Sequence, residues 1–160
     1  MGITGKMISQ SMQDYLKTIY KLQKLQAATE TVTTSQVSEN MEVVPASATN
    51  MIKKLAELRL VHYTPYRGVE LTAAGKRVAL EIIRHHRLLE LYLQEIMGYS
   101  WDAVDAEAEE LEHVISEEFE DRIDAALGHP RVGAHGEPIP SKGGNIEQMD
   151  YLRLAQLQAG

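Results

Sequence analysis

The stretch TTSQVSENMEVVPASATNMIKKLAEL, residues 33–58, decides the fold of the front half of this chain. Thr33 or Thr34 is placed to cap a short helix ending near Met41, with Gln36 or Glu39 near the capping-box position and Val37 facing inward. A turn through Glu42, Val43 and Val44 leads to Pro45. A proline suits the start of a helix, where its fixed φ and missing N–H cost nothing. The second helix is expected from about Ala46 to Leu58. Ala48, Met51, Ile52, Leu55 and Leu58 form its apolar stripe, leaving Ser47, Asn50, Lys53, Lys54 and Glu57 outside. Next come LVHYT (60–64) and GVELT (68–72), two short alternating runs around Pro65, Tyr66 and Arg67. They read as a β-hairpin. Helix, turn, helix and hairpin in this order make a winged helix-turn-helix.

Such a second helix fits the major groove of double-stranded DNA. Its N-terminal end offers Ser47 and Asn50, with Ala46 beside them, where base edges are read. Lys53, Lys54, Arg59, Arg67 and Lys76 are placed to meet phosphates, and Arg67 at the wing tip can reach the minor groove. The same pattern also suits a winged helix that binds protein instead.

Upstream, Met12, Tyr15, Leu16, Ile19 and Leu22 repeat as one buried helical face, so a helix is expected from Ser9, with Ser9 or Ser11 at its cap. Asp14 lies off that face. One reading makes it a carboxylate near the positive helix end, paired with Lys17. Residues 1–7 are expected to be disordered, and 29–35 a polar connection.

Downstream, Thr72 caps a long helix expected over Ala73–Met97. It is apolar on several sides (Val78, Ile82, Ile83, Leu88, Leu89, Leu91, Leu93), which suits a connector that also packs a homodimer. His86 and Glu90 stand four apart on it and share a face. Gly98 ends it, and Ser100 or Asp102 caps the next helix, which carries DAEAEELEH (105–113). A helix there puts Glu109, Glu112 and His113 on one face, with Asp105 one turn earlier. Carboxylates with an imidazole make a site for a hard-to-borderline divalent metal. Acidic runs are usually solvated faces; His113 beside Glu112 is what raises the metal reading. A further helix is expected through Phe119, Ile123 and Leu127, stopping at Gly128. The segment 128–144, rich in glycine and proline and carrying His129 and His135, reads as a linker. Ile146–Leu157 suits a short amphipathic helix.

The net charge of −7 hides an asymmetry. Residues 1–76 hold nine Lys/Arg and six Asp/Glu, whereas residues 77–160 hold seven and seventeen. The front can face phosphate and the back can hold cations. There are no cysteines, which excludes disulfides, thiolate zinc sites and a cysteine nucleophile. No apolar run reaches the ~18 residues that span a bilayer, and no secretory signal opens the chain, so a cytoplasmic protein with no membrane partner is expected. No glycine-rich nucleotide motif is present. An enzyme with a carboxylate-bridged metal pair would want two Glu-x-x-His units in a bundle, and the chain offers a single Glu-x-x-Glu-His run (109–113), so no enzyme is expected.

Taken together, several motifs resemble the iron- and manganese-dependent transcriptional repressors typified by the diphtheria toxin repressor. They are MQDYLKTIY (12–20), PASATN (45–50), LTAAG (71–75), RHHRLLE (84–90), EELEH (109–113) and HGEPIP (135–140), each weak alone but specific in this order and spacing. The resemblance covers about residues 8–142. It implies a mostly α protein: a winged helix-turn-helix DNA-binding domain (1–75), an all-helical metal-binding and dimerisation domain (76–142), and a C-terminal segment (143–160). It implies a primary metal site on Asp14, Glu109, Glu112 and His113. It implies an ancillary site on His86 and Glu90, with Asp105 where iron-type members have a histidine and His135 in a linker position that some members use. Iron-type members carry Met and Cys where this chain has Asp14 and Glu109. Hard oxygen in place of sulfur favours Mn²⁺ without excluding Fe²⁺. Compact manganese members have a glutamate where Lys17 stands, and a cation there disfavours a two-metal cluster. Longer members continue into an SH3-like domain that lends ancillary ligands; this sequence ends at Gly160 without one, either because the domain is naturally absent or because the chain was shortened, and the ancillary site is then expected to be incomplete.

The implied function is a homodimeric, metal-activated repressor of metal-uptake genes that binds a palindromic operator. The competing expectation is a winged-helix regulator controlled by an organic ligand, its acidic helix merely solvated.

Overall fold

The computed structural model describes residues 8–26 and 29–143. The expected disordered start (1–7) and the expected helix at 146–157 lie outside them. Among the described residues there are six helices and one two-stranded sheet, so the fold is mostly α, as the patterning indicated. The chain forms two compact units, dividing between Ala79 and Leu80.

The first unit begins with α1 (Gln10–Leu25). Ser9, and not Ser11, is its N-cap, accepting the N–H of Met12 at 3.1 Å. Leu16 and Ile19 are fully buried on its inner face. The short helix α2 (Thr34–Met41) opens with a reciprocal capping box. Thr33 Oγ1 accepts from Gln36 N at 3.1 Å, and Gln36 Oε1 accepts from Thr33 N at 2.9 Å, so two helix-end donors are satisfied. Glu42, in the left-handed region at φ 57°, stops it. α3 (Pro45–Glu57) then starts on its proline and buries Ala48, Ile52 and Leu55.

The hairpin pairs β1 (Val61–Thr64) with β2 (Gly68–Leu71) antiparallel, in the register Val61↔Leu71 to Thr64↔Gly68. Its outer edge is not bare. Val32, inside the stretch expected to be a plain polar connection, exchanges two backbone hydrogen bonds of 2.8 Å with Val69. Val32 is fully buried, so this bridge closes the sheet edge and adds to the core. It also explains Gly68, where a Cβ would lie 2.2 Å from the Val32 carbonyl oxygen.

Helix α4 (Ala73–Glu95) stops two residues short of the expected Met97, and Gly98 follows at φ 74°. Thr72 Oγ1 accepts from Gly75 N at 3.1 Å and donates to Arg59 O at 2.8 Å, fastening the helix start to the end of α3.

In the second unit, α5 (Trp101–Leu111) and α6 (Glu117–Ala126) complete the helices. Ser100 occupies the N-cap of α5, and Ser116 caps α6 through Phe119 N. The core gathers Leu88, Leu89, Leu91, Leu93, Val104, Ala108, Ile123 and Ile139. The last of these comes from the segment expected to be a linker, and that expectation needs correcting. Val132 and Pro138 form a bridge, and Ile139 N donates to Arg131 O at 2.9 Å. Arg84 Nη1 donates to Pro140 O at 3.1 Å, and Arg87 Nη1 donates to Pro138 O. Glycine and proline mark turns here, but Ile139 and Pro140 are buried and the segment is strapped to α4.

Candidate metal centre

The centre is built on one exposed-to-buried face of α4. His86 and Glu90, one turn apart, point the same way, as the helical repeat requires. α5 brings Asp105 to them: His86 Nε2 lies 3.0 Å from Asp105 Oδ1 and 3.5 Å from Glu90 Oε1. One atom from each of the three residues falls within 4.8 Å of the others. The strapped segment adds His135, whose Nε2 lies 3.0 Å from Glu90 Oε2. The Trp101 ring meets this imidazole in a T-shaped contact, at 4.2 Å between centroids.

The other side of His86 reaches the acidic motif. Helix α5 ends at Leu111, so Glu112 is its cap and His113 stands in the turn beyond, not on the helix as the sequence pattern implied. Glu112 keeps helical φ/ψ and follows Val104 and Ala108 along the buried face of α5, and its side chain is fully buried. Its Oε2 accepts from His86 Nδ1 at 2.6 Å, and its Oε1 lies 3.3 Å from His113 Nε2. One carboxylate thus links His86 to His113.

With carboxylates at both ring nitrogens, His86 is an imidazolium in the metal-free protein. Burial pushes its pKa down, but hydrogen bonds and charge from Glu112 and Glu90 outweigh this and push it up to about 9. Burial likewise pushes Glu90 up, and His86 and His135 more than reverse it, leaving that carboxyl below its ordinary range.

Behind the centre lies a polar layer the sequence did not announce. His85 Nδ1 donates to the Glu112 backbone carbonyl at 3.1 Å, and its Nε2 donates to Glu120 Oε1 at 3.2 Å. Glu120 on α6 also accepts from Arg84 Nε at 2.5 Å. All three side chains are buried. The layer pins the turn bearing Glu112 to α4 and α6. Adjacent residues on a helix point about 100° apart, so His85 reaches the Glu112 carbonyl and His86 the Glu112 carboxylate.

The other expected ligands stand as follows. Glu109 is exposed on α5 and does not join His86, Glu90 and Asp105. Asp14 belongs to α1 in the first unit and is partly exposed. Ala46, Ser47, Asn50, Lys53 and Lys54 are exposed on α3, and Arg67 is exposed in the wing turn. Arg59 is also exposed, just after α3.

His86, Glu90, Asp105 and His135 offer imidazole nitrogen and carboxylate oxygen with no sulfur. This donor set fits Mn²⁺ or Fe²⁺ better than a soft ion. No helix among the described residues is long and apolar enough to cross a membrane.

Comparisons with known proteins bear on the family of the chain. Residues 7–69 match the family profile described as iron dependent repressor, N-terminal DNA binding domain. Residues 72–141 match iron dependent repressor, metal binding and dimerisation domain. The iron-dependent repressor IdeR of Mycobacterium tuberculosis is 30% identical over 155 residues, covering 91% of this chain and 65% of IdeR. The HTH-type transcriptional regulator MntR of Oceanobacillus iheyensis is 34% identical over 113 residues, covering 71% of this chain and 74% of MntR. Among solved structures, a manganese-dependent transcriptional repressor in complex with manganese is 43% identical with a TM-score of 0.75, covering 84% of this chain and 61% of that one. This chain therefore spans less than two thirds of the length of IdeR and of that structure. Both halves match in order, and the chain belongs to the iron-dependent repressor family, with its DNA-binding domain followed by its metal-binding and dimerisation domain.

Proposed function

We propose that this chain is a cytoplasmic homodimer that binds a palindromic DNA operator when loaded with Mn²⁺ or Fe²⁺, and so represses genes of metal uptake. The observation that carries the reading is the convergence of His86, Glu90 and Asp105 on one point, with Glu112 buried against the same imidazole. The domain bounds are taken as 1–75 for DNA binding and 76–142 for metal binding and dimerisation.

His86, Glu90, Asp105 and His135 would hold one ion. Glu112 and His113, with Glu109 and Asp14 assigned from their places in the family motifs, would hold another. A bound divalent cation supplies the positive charge that lets several carboxylates remain close together. The protein's own residues do the rest. His86 gives up a proton to become a ligand, and Glu112 keeps its hydrogen bond from His86 Nδ1. His85 and Glu120 hold the Glu112 turn in place. On the DNA side, Ala46, Ser47 and Asn50 face base edges from α3, while Lys53, Lys54 and Arg67 meet phosphate. The two recognition helices of a dimer then reach two half-sites one helical turn apart. The all-oxygen-and-nitrogen donor set favours Mn²⁺.

The test is fluorescence anisotropy on genomic fragments upstream of metal-transport genes at fixed salt, with Mn²⁺, Fe²⁺, Zn²⁺ or chelator. Binding with Mn²⁺ that chelator reverses is expected. Equal binding with and without metal would overturn the switch and favour control by an organic ligand.

A further inference from the structure

The wing turn carries a side chain that its backbone disfavours. Arg67 N donates to Thr64 O at 3.0 Å, which closes a β-turn with Pro65 and Tyr66 at its centre. Proline suits the first central position. The second sits at φ 67°, where such turns ordinarily place glycine or asparagine. The next glycine, Gly68, is confined by the Val32 carbonyl and has no room for a side chain. The loop thus places a tyrosine where a glycine would be easier. The fold gains no buried surface from it, because Tyr66 is 107% exposed, the most exposed of the large hydrophobic side chains among the described residues. A large aromatic held on a strained and fully exposed turn calls for an occupant outside the chain.

The chemistry around it selects that occupant. Arg67, also exposed, is its neighbour, and the same unit exposes Arg59, Lys53 and Lys54. No acidic residue stands within the turn; Glu70 lies four positions on, within β2. The residues matching the family's DNA-binding domain run to 69 and so include the turn. A polyanion with apolar ring and sugar faces, which is duplex DNA, fits a cation beside an aromatic ring.

We propose that Tyr66 is a DNA-contacting residue: its ring packs into the minor groove against deoxyribose and base edges, while Arg67 beside it meets the acceptors and phosphates. This rests on the DNA-binding reading above. The two residues divide the work. Arg67 supplies the salt-dependent part of wing binding, and Tyr66 supplies a salt-independent apolar part.

The experiment uses the full chain loaded with Mn²⁺ and the duplex that this protein enriches from a random-sequence library. Tyr66→Gly relieves the left-handed strain, so its Tm should equal or exceed that of the wild type. Its affinity for the duplex should nevertheless fall about tenfold, comparable to losing one good groove contact. The slope of log affinity against log salt should stay unchanged, whereas Arg67→Ala should lower it by about one. Tyr66→Phe should bind like wild type. Wild-type affinity in Tyr66→Gly would overturn the proposal, as would a loss in Tyr66→Phe equal to that in Tyr66→Gly, which would remove the ring from the explanation. If the wild type enriches no duplex at all, the DNA-binding reading fails, and the Tyr66 contact fails with it.

Discussion

Metal binding at His86 should release a proton, and the geometry sets how strongly. The His86 side chain is only 12% exposed and lies between Glu112 at 2.6 Å and Asp105 at 3.0 Å, with Glu90 at 3.5 Å. Burial alone would lower its pKa, but the carboxylates outweigh burial and raise it to about 9. A ligand imidazole must be neutral at the nitrogen it offers. At pH 7, about one His86 in a hundred is neutral, so protons lower the apparent affinity of this site roughly 100-fold. Affinity should climb about tenfold per pH unit from 7 towards 9 and then flatten. Titration calorimetry in buffers of different ionisation enthalpy should count about one proton released per ion at pH 7. The metal-free protein should show the opposite trend in stability. Because the folded pKa is raised above the ordinary 6.5, the imidazolium's contribution is fully present below pH 6.5 and lost as pH rises through about 9. That contribution is of the order of 3 kcal/mol. A site affinity that stays flat from pH 7 to 9, with no proton released, would refute this reasoning.

Two further perturbations test the scaffold around the site. Glu120→Gln keeps the shape but removes the charge between Arg84 and His85, leaving the buried Arg84 guanidinium without its nearest carboxylate; denaturant unfolding should show a loss of roughly 3–5 kcal/mol. Burial raises the Glu120 pKa, but His85 and Arg84 more than reverse this and hold it below the ordinary carboxylate range. Its stabilisation is therefore present above that range and lost as pH falls through the depressed value, so the variant should be less sensitive to acid than the wild type. Gly75→Ala would place a methyl 1.9 Å from the Leu60 carbonyl oxygen, on backbone that cannot move aside without disturbing β1. A cost of about 1–3 kcal/mol is expected, read as a lowered Tm.

What the sequence disclosed depended on whether the physics was local. The capping box of Thr33 and Gln36, the proline start of α3 and the hairpin are contacts over a few residues, and each left a readable pattern. The apolar stripes of α1 and α3 did the same, since Leu16, Ile19, Ile52 and Leu55 recur at the helical period. Val32 did not, because one bridge residue has no period to detect. The segment 128–144 was misread for a related reason. Its glycines and prolines signal turns, while the burial of Ile139 and the donors from Arg84 and Arg87 come from a helix some fifty positions earlier.

The site divides the same way. His86 and Glu90 were visible as a four-residue spacing. The hydrogen bond from His86 to Glu112 spans 26 positions, and that from His85 to Glu120 spans 35, so neither has a local signal. The helical reading of residues 105–113 assumed that α5 continues through His113. It ends at Leu111, and Glu112, four residues after Ala108, is buried in line with Val104 and Ala108 while Glu109 stays on the exposed side.

The central claim is that metal and DNA each tighten the binding of the other. The most direct test measures Mn²⁺ affinity, by electron paramagnetic resonance of the free ion, with and without saturating operator duplex. It then compares that ratio with the ratio of DNA affinities with and without Mn²⁺. Linkage requires the two ratios to be equal, and a functioning switch requires them to be well above one, typically 5- to 150-fold. Mn²⁺ affinity that does not change when the duplex is added would contradict the account.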